Sequence, residues 1–270
     1  MSAPVKPLAL PHRSRKPRTR GLTSMIDFGP DTFGWTGAVG GIEPLLQACG
    51  DYIDFAKIYA MNALLLPREV VKAAARCYRD HDVVPFAGGI LFEYAWQRNE
   101  LDGLEALLAD LEIGGLEISE NYVQLTPDER ARMIDRFQKR GLYIKYEFGR
   151  KSPTEPLSLD ELGSVVEAVG RQGIEHVIVE QSDFDMLVAA RADAIDRLKE
   201  QPWFDRLLIE ADPYRFPKQC AELVQTFGPE VNLANITPGQ VLRLEGFRLG
   251  IGRAVDYSII KRGSQAGVRS

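Results

Sequence analysis

Histidine and cysteine are scarce in this chain, three of each in 270 residues, and that scarcity removes whole classes of chemistry. His12 lies in a basic N-terminal stretch, His81 near a helix end, and His176 at the start of a strand-like run. Neither a Ser-His-Asp triad nor a histidine-rich zinc site can be assembled from them. Cys49, Cys77 and Cys220 are odd in number, widely spaced and set in helical stretches. They suggest neither a disulfide framework nor a thiolate cluster, and they fit a reducing cytoplasm. No apolar run is long enough for a membrane span, and the N-terminus lacks the hydrophobic centre of a secretory signal. A net charge of −5 supplies no general attraction for nucleic acid. An anionic substrate would therefore need a locally positive or metal-containing pocket.

What is present is a repeated pattern. Eight β-branched or aromatic runs, most with a polar or ionisable residue at or beside their end, lead into a helix-like segment: Thr23 to Asp27, Tyr52 to Tyr59, Val83 to Ala87, Gly115 to Ser119, Tyr143 to Phe148, His176 to Glu180, Leu207 to Glu210 and Val231 to Leu233. Alternating strands and helices predict parallel βαβ units. Eight of them in this length predict an α/β fold with one (β/α)8 TIM barrel, whose active site lies at the C-terminal ends of the strands. With 45% hydrophobic and 26% charged residues, the composition suits one soluble globular domain.

Helix starts agree with this segmentation. Thr126/Glu129, Ser158/Glu161 and Thr237/Gln240 have capping-box spacing, with Pro127 and Pro238 in first-turn positions. Leu101, Leu104, Leu107, Leu108 and Leu111 recur at the helical period as a packing stripe. Residues 1–20 carry six basic side chains, four prolines and no acid, and read as a basic, flexible arm. The barrel is expected over residues 21–262, with 263–270 a flexible tail. The Gly- and aromatic-rich stretch from Phe28 to Gly41 reads as a loop beside the mouth, either a cover or a packed surface loop.

The strand ends place Asp27, Lys57, Glu117, Lys145, Glu147, Glu180, Glu210 and Asn232 in one topological position. Such groups are costly to bury unless paired or metal-bound, so the ring is the leading functional signal. Asp27, Glu117, Glu147, Glu180 and Glu210 are a pool of hard oxygen ligands suited to Mg²⁺. Lys57, Lys145 and Lys151 are candidate acids or bases for enolate chemistry beside such a cation. Two other readings stand beside this one. Lys145 and Glu147, two apart on one strand face, would neutralise each other, or Lys57 or Lys145 would be a Schiff-base nucleophile as in barrel aldolases.

Several blocks resemble phosphosulfolactate synthases, in order from about Lys16 to Arg248. They are Gly21-Leu22-Thr23, Cys49 to Lys57, Gly88-Gly89-Ile90-Leu91-Phe92-Glu93-Tyr94, Leu116-Glu117-Ile118-Ser119, Glu147-Phe148-Gly149-Arg150-Lys151 and Val231 to Ile236. The resemblance implies a Mg²⁺-dependent addition of sulfite to phosphoenolpyruvate, giving 2-phospho-3-sulfolactate on the route to coenzyme M. It implies that Lys151 is the proton donor, and that Glu117, Glu147, Glu180 and Glu210 hold the metal or its waters. Lys57, Arg150 and Arg215 would neutralise anionic groups, with Asn232 and Asn235 orienting an oxygen. The helix start after Thr237 would be a phosphate site.

This chain departs from the family pattern at the mouth. Ile58-Tyr59-Ala60-Met61-Asn62 stands where Phe-Gly-Trp-Gly-Thr is usual, and Gln181-Ser182-Asp183 where an Ala-Arg-Glu-Ser-Gly run is expected. Near the C-terminus, Ile251 to Asp256 replaces Leu-Arg-Gly-Asp-Thr. These changes leave two alternatives open: a related enzyme acting on a different enol phosphate or nucleophile, and a noncatalytic stress or interaction protein. Association into a homo-oligomer also stays open.

Overall fold

Each apolar run finds a parallel partner on both sides, and the result is a closed barrel in the order β1 to β8. The computed structural model describes residues 8–11, 13–31, 38–151, 153–191 and 193–265. The strands are β1 Thr23–Asp27, β2 Phe55–Ile58, β3 Val84–Ala87, β4 Gly115–Ser119, β5 Tyr143–Phe148, β6 Val177–Val179, β7 Leu207–Glu210 and β8 Leu233–Ile236. Helices follow them on the outside: α1 Glu43–Cys49 after β1, α2 Asn62–Leu65 and α3 Arg68–Asp80 after β2, and α4 Gly89–Gln97 and α5 Leu101–Asp110 after β3. Then come α6 Pro127–Gln138, α7 Leu159–Gly170, α8 Gln181–Ala190, α9 Ala194–Lys199, α10 Lys218–Phe227, α11 Val241–Arg248 and α12 Ser258–Gln265. This is the TIM barrel expected from the pattern.

Register decides which side chains share a depth. Ser24 is level with Phe55, Ile26 with Lys57, Glu117 with Lys145, and Ser119 with Glu147. Side chains alternate across a strand, so these pairs stack in layers inside the barrel. Leu22, Phe55, Phe86, Ile178, Leu208 and Ala234 form a small apolar cluster of their own that plugs the lower interior. A second, larger core lies between the strands and the helices. Polar groups therefore collect above the plug, at the mouth.

The eighth strand corrects the sequence reading. It begins at Leu233, where the expected run ended, and extends to Ile236. Asn235 lies at φ 59°, and the register against β1 slips between Thr23 and Met25. An irregularity of this kind lets a polar residue sit inside a strand without ending it.

The N-terminal segment is tied to the bottom of the barrel along its described part. Arg18 Nε pairs with Asp54 Oδ1 at 2.9 Å, and Lys16 Nζ donates to the Asp82 carbonyl at 3.0 Å. Arg13 pairs with Glu245, and Arg20 lies 3.2 Å from Asp205. Arg13, Arg18 and Arg20, three of the six basic residues of this stretch, thus meet acids of this same chain. Residues 32–37 of the Phe28 to Gly41 loop, Trp35 included, and His12 fall outside the described residues. Among the described residues no helix is long and apolar enough to cross a membrane.

Candidate active site

Four carboxylates and two ammoniums interlock at the C-terminal mouth. Lys57 Nζ on β2 lies 2.9 Å from Glu210 Oε1, 3.0 Å from Glu117 Oε2 and 3.7 Å from Glu147 Oε2. Lys151 Nζ lies 2.9 Å from Glu180 Oε1, 3.3 Å from Glu147 Oε1 and 3.7 Å from Glu210 Oε2. Glu147 and Glu210 each touch both lysines, so the six side chains form one network. The strands bring Lys57, Glu117, Glu147 and Glu210 together directly. Lys151 arrives from the turn after β5, which folds back at Gly149. That residue lies at φ 125°, where a Cβ would also strike Asp183 and Glu180.

The two lysines are acids in different settings. Burial works against the charge of Lys57, but Glu117, Glu210 and Glu147 outweigh it and hold its pKa well above the ordinary lysine value. Lys151 is raised in the same way, burial being overcome by Glu147, Glu210 and Glu180. Its side chain is 32% exposed against 7% for Lys57, so Lys151 faces the open mouth and Lys57 forms its floor. Neither is a free amine near neutral pH, which removes the condition for a Schiff base at Lys57. Burial and the neighbouring Glu117 push Glu147 above the usual carboxylate range, against Lys57 and Lys151.

Lys145 stands one layer below, fully buried, and takes no part in the network. Its ammonium sits 3.4 Å from the centre of the Phe55 ring, near Phe86 and Tyr143, with no hydrogen-bond partner. Burial lowers its pKa to about 7. It neither pairs with Glu147 nor reaches the mouth, because it lies two residues earlier on the same face of β5, one layer deeper and in the plug.

Other sequence candidates also separate by depth. Asn232 is at the bottom: its Oδ1 accepts from Leu22 N–H at 3.0 Å and its Nδ2 donates to the Asp205 and Leu207 carbonyls. It joins strand starts and cannot orient a substrate at the other end. Asp27 accepts from the Tyr78 hydroxyl at 2.7 Å and Gly29 N–H at 2.7 Å, away from the lysines. Burial raises its pKa, against those two bonds. Arg215 is engaged by Asp185 at 2.6 Å. Arg150 is exposed, makes no ion pair among the described residues, and lines a cavity of about 460 Å³ beside the ring. Asn235, the penultimate residue of β8, has a buried, unpartnered Oδ1. At the helix start after it, the Thr237 N–H is already taken by Gln240 Oε1, so the capping box uses one of the donors expected for phosphate.

Three contributors were not singled out from the sequence. Gly89 N–H, in the first turn of α4, donates to Glu117 Oε1 at 2.8 Å. Buried Glu93 organises the loop after β4, and Asn121 in that loop donates from Nδ2 to Glu147 Oε1 at 2.9 Å. Gly89 and Glu93 lie within one of the resembling blocks, a signal that was available; Asn121 follows a strand end by two residues and carries no comparable mark.

The family model of (2R)-phospho-3-sulfolactate synthase (ComA) matches residues 11–253. The chain belongs to the phosphosulfolactate synthase family. It is 31% identical over 250 residues to the phosphosulfolactate synthase of Methanothermobacter thermautotrophicus, covering 89% of this chain and 93% of that one. To the phosphosulfolactate synthase of Methanocaldococcus jannaschii it is 30% identical over 242 residues, covering 86% and 92%. Among solved structures, N-acetylneuraminate lyase from Mycoplasma synoviae superposes with a TM-score of 0.52 at 14% identity, covering 92% of this chain and 78% of that one. The 3-keto-L-gulonate-6-phosphate decarboxylase of Vibrio cholerae gives 0.51 at 10% identity, covering 88% and 98%. These two likenesses show the barrel alone.

For this phosphosulfolactate synthase family member the carboxylates do not converge as a five-ligand metal cage. Among the described residues no three of His, Cys, Asp and Glu are grouped to hold a metal ion. Asp27 is committed to Tyr78, and Glu180 accepts from Ser182 N–H at 2.6 Å as well as from Lys151. A smaller set does fit. Asn121 Oδ1 is a buried oxygen with no donor, Glu117 Oε2 makes an ion pair with Lys57 at 3.0 Å but no hydrogen bond, and both residues flank Glu147. Magnesium commonly takes only one or two protein oxygens and keeps water and substrate oxygens for the rest. Four carboxylates against two ammoniums also leave negative charge for a dication to offset.

Proposed function

We propose that this chain is a lyase adding sulfite to C3 of phosphoenolpyruvate, giving 2-phospho-3-sulfolactate. The observation that carries the reading is the placement of two ammoniums in one carboxylate ring, one at the floor and one at the open side. Sulfur supplies the electron pair for the new C–S bond, and the π electrons of the enol move toward C2 and its carboxylate. Lys151, cationic and partly exposed, delivers a proton to C2 and recovers one from solvent. Lys57, held by three carboxylates, keeps a fixed positive charge beneath the reacting carbons. Arg150 is the free guanidinium beside the mouth that would take a phosphate or carboxylate. Glu117 would hold magnesium, with Asn121 Oδ1 beside it to accept from one of the ion's waters, and the ion when bound would supply positive charge where the enolate's negative charge gathers.

Phosphorus NMR of phosphoenolpyruvate with the protein, Mg²⁺ and sulfite tests this reading. A new sulfite-dependent phosphate ester is expected, absent with Lys151→Ala and reduced by chelation of the metal. No new ester from folded wild-type protein would refute the reaction. One observation favours a related alternative: Arg215 is paired with Asp185, and Asn232, expected to orient an oxygen, lies at the bottom, so neither stands free at the mouth for the substrate. Enol phosphates of other shape, run in parallel, would reveal a changed substrate.

A further inference from the structure

Glu93, buried on α4, faces no cation among the described residues. Its carboxylate instead accepts from the backbone N–H groups of Asn121 at 2.9 Å, Tyr122 at 2.7 Å and Val123 at 3.2 Å, and from the Ser119 hydroxyl. Successive N–H groups converging on one carboxylate lock the loop after β4 into a single turn. That turn presents the Asn121 carboxamide to the ring, 8% exposed. Its Nδ2 donates to Glu147 Oε1 at 2.9 Å, the same oxygen that Lys151 Nζ approaches at 3.3 Å. Its Oδ1 has no donor.

Two donors thus share one carboxylate oxygen, and the longer contact belongs to the lysine. A carboxylate oxygen that already receives an amide N–H attracts a second donor less strongly, so the amide loosens the grip of Glu147 on the ammonium. We propose that Asn121, presented by Glu93, is a positioning residue for Lys151: it occupies Glu147 Oε1 so that the ammonium can leave that oxygen for the substrate. The unmatched Oδ1 points to a donor that arrives with the ligand, a water of the bound cation or a protonated oxoanion. The role of Lys151 in this inference rests on the proposed reaction; the contact through Glu147 does not.

The experiment has one arm without substrate and one with it. In protein labelled with ¹³C at lysine Cε, the Lys151 resonance is identified by its loss in Lys151→Arg. Asn121→Ala is expected to move that resonance, and Glu93→Gln, which removes acceptors from the loop, to move it in the same direction by less. Circular dichroism checks that both variants fold. With phosphoenolpyruvate, sulfite and Mg²⁺, Asn121→Ala is expected to lower kcat roughly tenfold while KM for phosphoenolpyruvate stays within about twofold. A Lys151 resonance at its wild-type position in Asn121→Ala overturns the proposal, whether or not the protein turns substrate over. Wild-type kcat for Asn121→Ala in an active protein overturns it as well. A moved resonance in a protein that makes no sulfite adduct supports the positioning contact and sinks the reaction instead.

Discussion

Lys57, Lys145 and Lys151 are one residue type in three environments, and only their neighbours distinguish them. Lys57 is buried but meets three carboxylates, so it stays charged; Lys151 is partly open to solvent and meets three as well. Lys145 is buried over an aromatic ring with no carboxylate in hydrogen-bond reach. Its folded pKa, about 7, lies below the ordinary 10.5, so between those values the unfolded chain binds the extra proton. The cost of burying it is therefore complete below pH 7 and fades as pH rises toward 10.5. Lys145→Met should raise stability by on the order of 2 kcal/mol in neutral and acid buffer, with a smaller gain in alkaline buffer. Urea melts at several pH values measure this, and the variant should keep its turnover, since Lys145 does not reach the mouth. From residue type and strand position the three lysines were equal candidates, and only the family resemblance set Lys151 apart as proton donor. The alternation of β5 showed that Lys145 and Glu147 share a face, yet it could not show that one lies in the plug and the other in the ring.

At the level of elements, the connection from β3 into α4 ties helix geometry to the ring. Gly89 opens the helix so close to β4 that a Cβ would lie 2.5 Å from Ser119 Cβ and 3.1 Å from Glu117 Oε1. Only a residue without a side chain lets its N–H reach Glu117. Gly89→Ala should cost about 1–3 kcal/mol, read as a lower urea midpoint with unchanged slope, and should weaken substrate binding through a displaced Glu117. An unchanged midpoint would show that the strand yields without cost. The capping boxes illustrate how well local signals read: Thr126 and Glu129 exchange both expected hydrogen bonds, and Ser158 accepts from Glu161 N–H. The eighth strand illustrates where they fail. Leu233 to Ile236 pairs with β7 and β1 despite Asn235, and that pairing is a property of distant strands rather than of the segment.

Across the whole molecule, the two ends of the barrel have different duties. The mouth gathers the ionisable ring, while the bottom is closed by the N-terminal segment, Asn232, Arg248 and His176. Arg248 donates to the carbonyls of Pro229, Val231 and Leu22, and His176 Nε2 lies 3.3 Å from the Thr19 carbonyl. Burial, with Lys145 nearby, lowers the His176 pKa to about 4 from 6.5. Below 6.5 the unfolded chain takes up a proton that the folded chain refuses until about 4, so stability falls as pH drops through that window. The contribution is on the order of 3 kcal/mol. His176→Gln should flatten the stability profile across the window; an equal slope in both proteins would assign acid sensitivity elsewhere.

Period and order along the chain determined the eight units, the barrel, the family, and the presence of acids and lysines at strand ends. These are local or statistical properties, carried by alternation, caps and contiguous blocks. Depth within the barrel was decided only by tertiary structure, because closure of eight strands sets the register that sends Lys57 to the mouth, Lys145 to the plug and Asn232 to the bottom. The pairing of Glu93 with the loop of Asn121, and of that amide with Glu147, required the same closure. Hydrogen bonds and pKa values depend on neighbours within a few ångströms, and here, the four-residue step from Glu147 to Lys151 aside, the ring neighbours lie 26 residues or more apart in sequence.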